Sequence, residues 1–189
     1  MNNRENEEIN NEKEILAIII NSINSGHKII FCGNGGSASM CNHMTGELMK
    51  DFIIKRQNLK RSMSEKFDKN LNYVIPAISL CSNSALITAI ANDMGYEYIF
   101  GQQLFGYGSS GDILFIISTS GESKNCIFAA KIAKKMNIIV ISLTKKGSTL
   151  EQFSDFKILF SQCNSAKQQE KHLIVLHDLC EQLEYALFN

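Results

Sequence analysis

Three short runs in this chain, KIIFCG (28–33), DILFIIS (112–118) and NIIVISLT (137–144), are apolar almost from end to end. A strand with one wet face alternates apolar and polar residues; a strand covered on both faces does not. These runs therefore require cover on two sides. YVIPAISL (73–80) reads as a further strand, with Pro76 placing it at a sheet edge or marking where the strand begins, and FKILF (156–160) as a fifth. Helical patterns fall between them: SALITAIANDM, KNCIFAAKIAKKM, a short TLEQF, and a long closing helix from about Lys167 to Leu187. At the start, Ile9, Leu16, Ile19, Ile20 and Ile23 recur at helical spacing over Glu5–Ser25, with Gly26 as the stop. Apolar strands alternating with helices predict an α/β protein, a doubly wound three-layer α/β/α sandwich on a five-stranded parallel sheet.

At 189 residues the chain is one domain in size. Residues 1–26 form an N-terminal helix packing on the domain or an oligomer, and 27–189 form the domain proper. KDFIIKRQNLKRSMSEKFDKN is basic and without periodicity, so an insertion loop is expected at about 55–70. A formal net charge of zero argues against a nucleic-acid partner. No apolar run approaches the roughly 20 residues that span a bilayer, and the polar, acidic start is unlike a signal peptide. Six cysteines (Cys32, Cys41, Cys81, Cys126, Cys163, Cys180) lie far apart with no C-x-x-C pair. A cytoplasmic protein with reduced thiols is the expectation.

Two strand-to-helix junctions are rich in small polar residues: GNGGS at 33–37 and STSGES at 118–123. In an open α/β sheet, ligands bind beyond the carboxyl ends of strands, where these loops lie. Ser118, Thr119, Ser120 and Ser123 offer four hydroxyls in six residues, a density that suits a phosphate better than a simple helix cap. Gly33, Gly35 and Ala38 fit the dinucleotide spacing G-x-G-x-x-G/A, but that fold needs a carboxylate at the end of the second strand, and ISLCSN has none. A P-loop sequence is absent.

His43 and Glu47, four residues apart, share one helix face, an arrangement that can ligate a metal or set a carboxylate base beside an imidazole. The helix carrying them begins at the first polar loop. His177 lies in an apolar stretch of the closing helix and by itself reads as a core residue; Gln169 reads as a surface residue near that helix's start.

Taken together, CGNGGSASMCNHMTGEL, TAIANDMGYEYIF, GDILFIISTSGESKN and QQEKHLIVLHDLCEQLE resemble the sugar isomerase (SIS) domain family, most closely its phosphoheptose isomerase branch. The resemblance runs from about Lys28 to Glu184. It implies a flavodoxin-like sheet and a homotetramer with active sites at subunit interfaces. It also implies isomerisation of sedoheptulose 7-phosphate to D-glycero-D-manno-heptose 7-phosphate through an enediol(ate), feeding lipopolysaccharide or capsule precursors. Matched motif by motif, it implies substrate contacts from Asn34, Gly35, Gly36, Ser37, Asn92, Asp93 and Gln169, and a phosphate cradle of Ser118, Thr119, Ser120 and Ser123. Glu47 and His177 match the acid/base pair, Glu47 also touching substrate. His43, Glu47, Gln169 and His177 match the ligands of one zinc ion per subunit. Other members of the family act on different sugar phosphates, or are non-catalytic tetramers that bind a protein.

One spacing bears on that ligand set. Gln169 and His177 stand eight residues apart, about 12 Å along a regular helix. Either Gln169 precedes the helix or the two come from different subunits. The chain also departs from the branch in places: Asp51 stands where an Arg is usual, with Lys50, Lys55 and Arg56 as the cations that could replace it. Asn83 stands where Asp is usual, and Ala166–Lys167 replace an Asp-Arg pair.

Overall fold

The computed structural model describes residues 2–56, 71–161 and 164–188, and for 2–11 the backbone alone. Most of the basic stretch expected at 55–70, and Cys163, lie outside the described residues.

Strands β1 (Ile29–Gly33), β2 (Ala77–Ser79), β3 (Ile113–Ser118), β4 (Ile139–Lys145) and β5 (Phe156–Phe160) form one sheet in the order β2-β1-β3-β4-β5. All neighbouring pairs are parallel. β2 is an edge strand and begins directly after Pro76, as the missing N–H of proline requires. Helices α1 (Asn2–Asn24), α2 (Gly36–Leu48), α3 (Ser84–Asp93), α4 (Ile99–Tyr107), α5 (Lys124–Lys135) and α6 (Ser165–Phe188) cover the sheet.

Alternate side chains of each central strand serve opposite faces. Ile29, Phe31, Ile113, Phe115, Ile117, Ile141 and Leu143 pack with Ile15 and Ile19 of α1, Met44 and Leu48 of α2, and Leu176 and Leu183 of α6. Ile30, Cys32, Leu114, Ile116 and Val140 pack with Ile90 of α3, Phe100 and Leu104 of α4, and Ala129, Ala130 and Ala133 of α5. The Ile, Leu, Val, Phe and Met side chains among them each contribute roughly 1.5–3 kcal/mol once buried, and the polar exceptions in β4, Ser142 and Thr144, are fully buried.

Helix α4 is an element that the sequence pattern did not suggest. It contains Gly101 and Gly106, poor helix formers. A Cβ on Gly101 would stand 2.4 Å from the Phe128 ring, so the residue is small because α5 packs there. Five of the cysteines are described, and all five are free. Among the described residues no helix is long and apolar enough to cross a membrane.

Candidate functional site

The sheet order reverses between β1 and β3, and the two polar loops leave the adjacent carboxyl ends of these strands, where Gly33 pairs with Ile117. Gly33 is small because β3 is close: a Cβ there would lie 2.7 Å from the Ile117 carbonyl. The loops are joined by a reciprocal amide pair. Asn34 Nδ2 donates to Asn125 Oδ1 at 2.9 Å, and Asn125 Nδ2 donates back to Asn34 Oδ1 at 2.8 Å. Tyr96 Oη donates to the same Asn34 oxygen at 2.9 Å. The Asn34 amide is thus engaged inside the protein and braces the loop. Asn125 and Tyr96, which sequence reasoning did not single out, are its braces; both stand within the family-like motifs.

Gly35 has φ +56, a left-handed conformation natural to glycine. Gly36 opens α2, and a Cβ there would fall 2.6–2.8 Å from the Gln169 amide. Gln169 therefore lies over the first loop of its own chain. It sits inside α6, which starts at Ser165 with Asn164 Oδ1 capping the Lys167 N–H, so it does not precede the helix. Ser37 is buried.

In the second loop, Ser118 is buried and its hydroxyl accepts the Gly121 N–H at 3.1 Å. Ser120 Oγ accepts the Glu122 N–H at 3.2 Å. Thr119 and Ser123 are half-buried, and Ser123 begins α5 without a side-chain cap bond. The one carboxylate of the loop, Glu122, is turned to Thr149, accepting its N–H and hydroxyl at 2.8 and 2.6 Å; these bonds hold its pKa below the ordinary value. Asn92 and Asp93 are exposed at the end of α3, where Asn92 Nδ2 donates to Asp93 Oδ1 at 2.8 Å.

Helices α2 and α6 bring His43, Glu47 and His177 together. His43 Nε2 and His177 Nε2 are 2.9 Å apart, with the rings edge to face at 74°. Glu47 Oε1 lies 3.6 Å from His43 Nδ1, and Lys50 Nζ reaches Glu47 Oε2 at 2.7 Å. Phe52 places its ring centroid 5.8 Å from that of His177.

Two of the residues that depart from the branch, Asp51 and Asn83, have structural tasks. Asp51 Oδ1 accepts the Arg56 N–H at 3.1 Å, and Asn83 Oδ1 caps α3 through the Leu86 N–H at 3.0 Å, a position where Asn and Asp serve equally. Ala166 and Lys167 are exposed on the first turn of α6. Of the three candidate replacement cations, Lys50 pairs with Glu47, Lys55 is exposed, and Arg56 is fully buried against Glu184 at 2.7 Å. Arg56 is therefore not a substrate-facing charge.

The facing imidazoles of His43 and His177 have a spacing near that of two ligands on one metal ion. Two nitrogens on one tetrahedral zinc at 2.0–2.1 Å stand roughly 3.3 Å apart, close to the 2.9 Å between the facing Nε2 atoms. Imidazole, carboxylate and amide oxygen are donors that zinc accepts. Among the described residues, no three His, Cys, Asp or Glu side chains of one chain form a metal-holding group. Glu47 meets His43 at Nδ1, away from the facing nitrogens, and Gln169 is two helical turns from His177. One chain thus brings two imidazole nitrogens face to face.

A family model described as SIS domain matches residues 1–145. Phosphoheptose isomerase of Thermodesulfovibrio yellowstonii is 39% identical over 177 residues, covering 93% of this chain and 80% of the relative. That of Synechocystis sp. is 34% identical over 175 residues, covering 92% and 82%. Among solved structures, a phosphoheptose isomerase from Francisella tularensis superposes with TM-score 0.78 at 29% identity, covering 93% of this chain and 85% of that one. One from Neisseria gonorrhoeae gives the same TM-score at 26% identity, covering 94% and 86%.

Proposed function

This chain belongs to the SIS domain family, and on that premise we propose that it is a phosphoheptose isomerase converting sedoheptulose 7-phosphate to D-glycero-D-manno-heptose 7-phosphate. The observation that carries the reading is the meeting of His43 and Glu47, on the helix that leaves the first of two small-residue loops at the sheet's switch point, with His177 of α6. Thr119, Ser120 and Ser123, with the N-terminus of α5, suit the phosphate. Asn34, Gly35, Gly36 and Ser37 form a floor on which backbone can approach the sugar.

Isomerisation moves one proton between C1 and C2 of the open-chain sugar. A base removes the carbon-bound proton, the electrons pass to the carbonyl as an enediol(ate), and the neighbouring carbon is reprotonated. Glu47 and His177 are the pair placed to exchange that proton. Lys50 and His43 hold the two oxygens of Glu47, restricting its rotamers. A zinc ion held by His43, Glu47, Gln169 and His177 would supply Lewis-acid polarisation of the carbonyl. The reading includes a homotetramer with active sites at subunit interfaces, in which a second copy of the chain would supply Gln169 or His177 to the set. We place the enzyme in the cytoplasm, supplying heptose for surface polysaccharide.

Incubation with sedoheptulose 7-phosphate should yield the aldose, followed by anion-exchange chromatography. No turnover of this or any related ketose phosphate would remove the reading.

A further inference from the structure

We propose that Arg56 and Glu184 are positioning residues for proton transfer, their buried ion pair fixing Glu47 and Phe52 relative to His177. The inference rests on the isomerase reading and extends it to residues that touch no substrate.

Both side chains are fully buried, with Arg56 Nε 2.7 Å from Glu184 Oε1. A buried ion pair is seldom a better stabiliser than an apolar pair of the same volume, and its directional bonds instead specify one arrangement. Here those bonds run to the catalytic helices. Arg56 Nη1 donates to the Leu48 carbonyl at 2.8 Å and to the Tyr73 carbonyl at 3.2 Å, and Nη2 donates to the Glu47 carbonyl at 3.4 Å. The guanidinium therefore closes the last turn of α2, where the carbonyls have no helical partner, and Glu47 belongs to that turn.

Glu184 accepts the N–H groups of Phe52, Ile53 and Ile54 at 2.9, 2.7 and 2.9 Å. Burial alone would raise its pKa, but these three donors and Arg56 together hold it below the ordinary carboxylate value. Glu184 stands seven residues after His177, two turns along the same face of α6. The pair thus reaches the site by two short routes: through Arg56 to the backbone of Glu47, and through Glu184 to Phe52, whose ring packs on His177. Elsewhere α2 and α6 meet through the apolar side chains Met44, Leu48, Cys180 and Leu183, with one weak bond among them, Cys180 Sγ to Met44 Sδ at 3.7 Å. The guanidinium also stacks on Phe188, 4.9 Å from its centroid, and so ties in the end of α6.

The test compares Glu184→Gln and Arg56→Lys with Asp112→Asn, each assayed at a temperature where circular dichroism shows it folded. Asp112 is an equally buried carboxylate accepting bonds from Lys28 and Ser109 at the opposite end of β3, so Asp112→Asn reports what lost stability alone does. On sedoheptulose 7-phosphate, Glu184→Gln and Arg56→Lys should lower kcat at least tenfold with KM within about twofold of wild type, whereas Asp112→Asn should leave kcat within about twofold. In crystals of Glu184→Gln, the His43–His177 nitrogen separation should open beyond about 3.5 Å. A folded variant with wild-type kcat, or a kcat loss matched by Asp112→Asn, overturns the proposal. If wild-type protein shows no turnover, the isomerase reading falls, and the crystallographic separation decides the positioning claim; an unchanged 2.9 Å overturns it.

Discussion

His43 and His177 are 134 positions apart in sequence, yet their Nε2 atoms face each other at 2.9 Å. The contact exists because α2 and α6 lie side by side on one face of the sheet, joined through Met44, Leu48, Cys180 and Leu183. Two nitrogens so close either share one proton or hold a common cation, since two lone pairs or two N–H groups would repel. Glu47, on the other side of His43, is the carboxylate of the group, oriented by His43 and Lys50.

Replacing Glu47 with Gln should therefore lower kcat by about a hundredfold or more, the usual contribution of a general base. The fold should survive, because Gln retains the carbonyl oxygen and Glu47 is a partly exposed residue near the helix end. Steady-state kinetics beside a melting curve check this. Turnover within a few-fold of wild type would remove Glu47 from the acid/base pair.

Gly36 and Gly121 separate activity from stability. A methyl on Gly36 meets the end of a flexible side chain, the Gln169 amide at 2.6–2.8 Å. Gly36→Ala should displace Gln169 with a stability change below about 1 kcal/mol, and lower kcat/KM about tenfold or more. Gly121→Ala is different in kind. Its φ is +68, and the methyl would lie 2.2 Å from Ser148 Oγ and 2.5 Å from Thr144 Oγ1. It should destabilise the chain by about 1–3 kcal/mol, backbone strain being the cause. Equal melting-temperature losses in the two variants would contradict this division.

Among the described residues, His172 makes stability depend on pH. His172 is fully buried against the Phe160 ring, its Nδ1 has no hydrogen-bond partner, and burial lowers its pKa to about 4. The unfolded chain takes up this proton near pH 6.5 and the folded chain does not. Stability from the neutral imidazole is present above about pH 6.5 and is lost as pH falls towards 4, by about 3 kcal/mol in all. His172→Leu should flatten the difference between urea midpoints measured at about pH 7 and about pH 4.5. An unchanged slope would assign the acid sensitivity elsewhere.

How much of this was legible beforehand depends on what each residue answers to. The central strands could be placed from their apolar runs because burial on both faces favours apolar side chains at nearly every position. The loops could be placed because glycine and hydroxyls before a helix have few other uses. Helix α4 could not, since Gly101 answers to the Phe128 ring and not to helix propensity. Arg56 and Glu184 could not, since charged residues in sequence look like solvated surface, and only the packing of α6 on the turn after α2 makes them a buried pair. The family resemblance implies Asn34 as a substrate contact, while its engagement with Asn125 and Tyr96 depends on two distant segments.

The same helix geometry yields a test of assembly. Gln169 and His177 both lie within the regular helix α6, about 12 Å apart along its axis, a span that two long side chains would have to bridge within one chain and that a second copy would relieve. Gln169→Ala and His177→Asn should each be inactive alone. Unfolded together and refolded as a mixture, they should recover activity in about a quarter of the sites, because each site then draws both residues intact by chance from two neighbours. If Gln169 and His177 acted within one chain, every site would lack one of them and mixing would restore nothing. Activity of the mixture, read against each refolded parent, decides between the two arrangements.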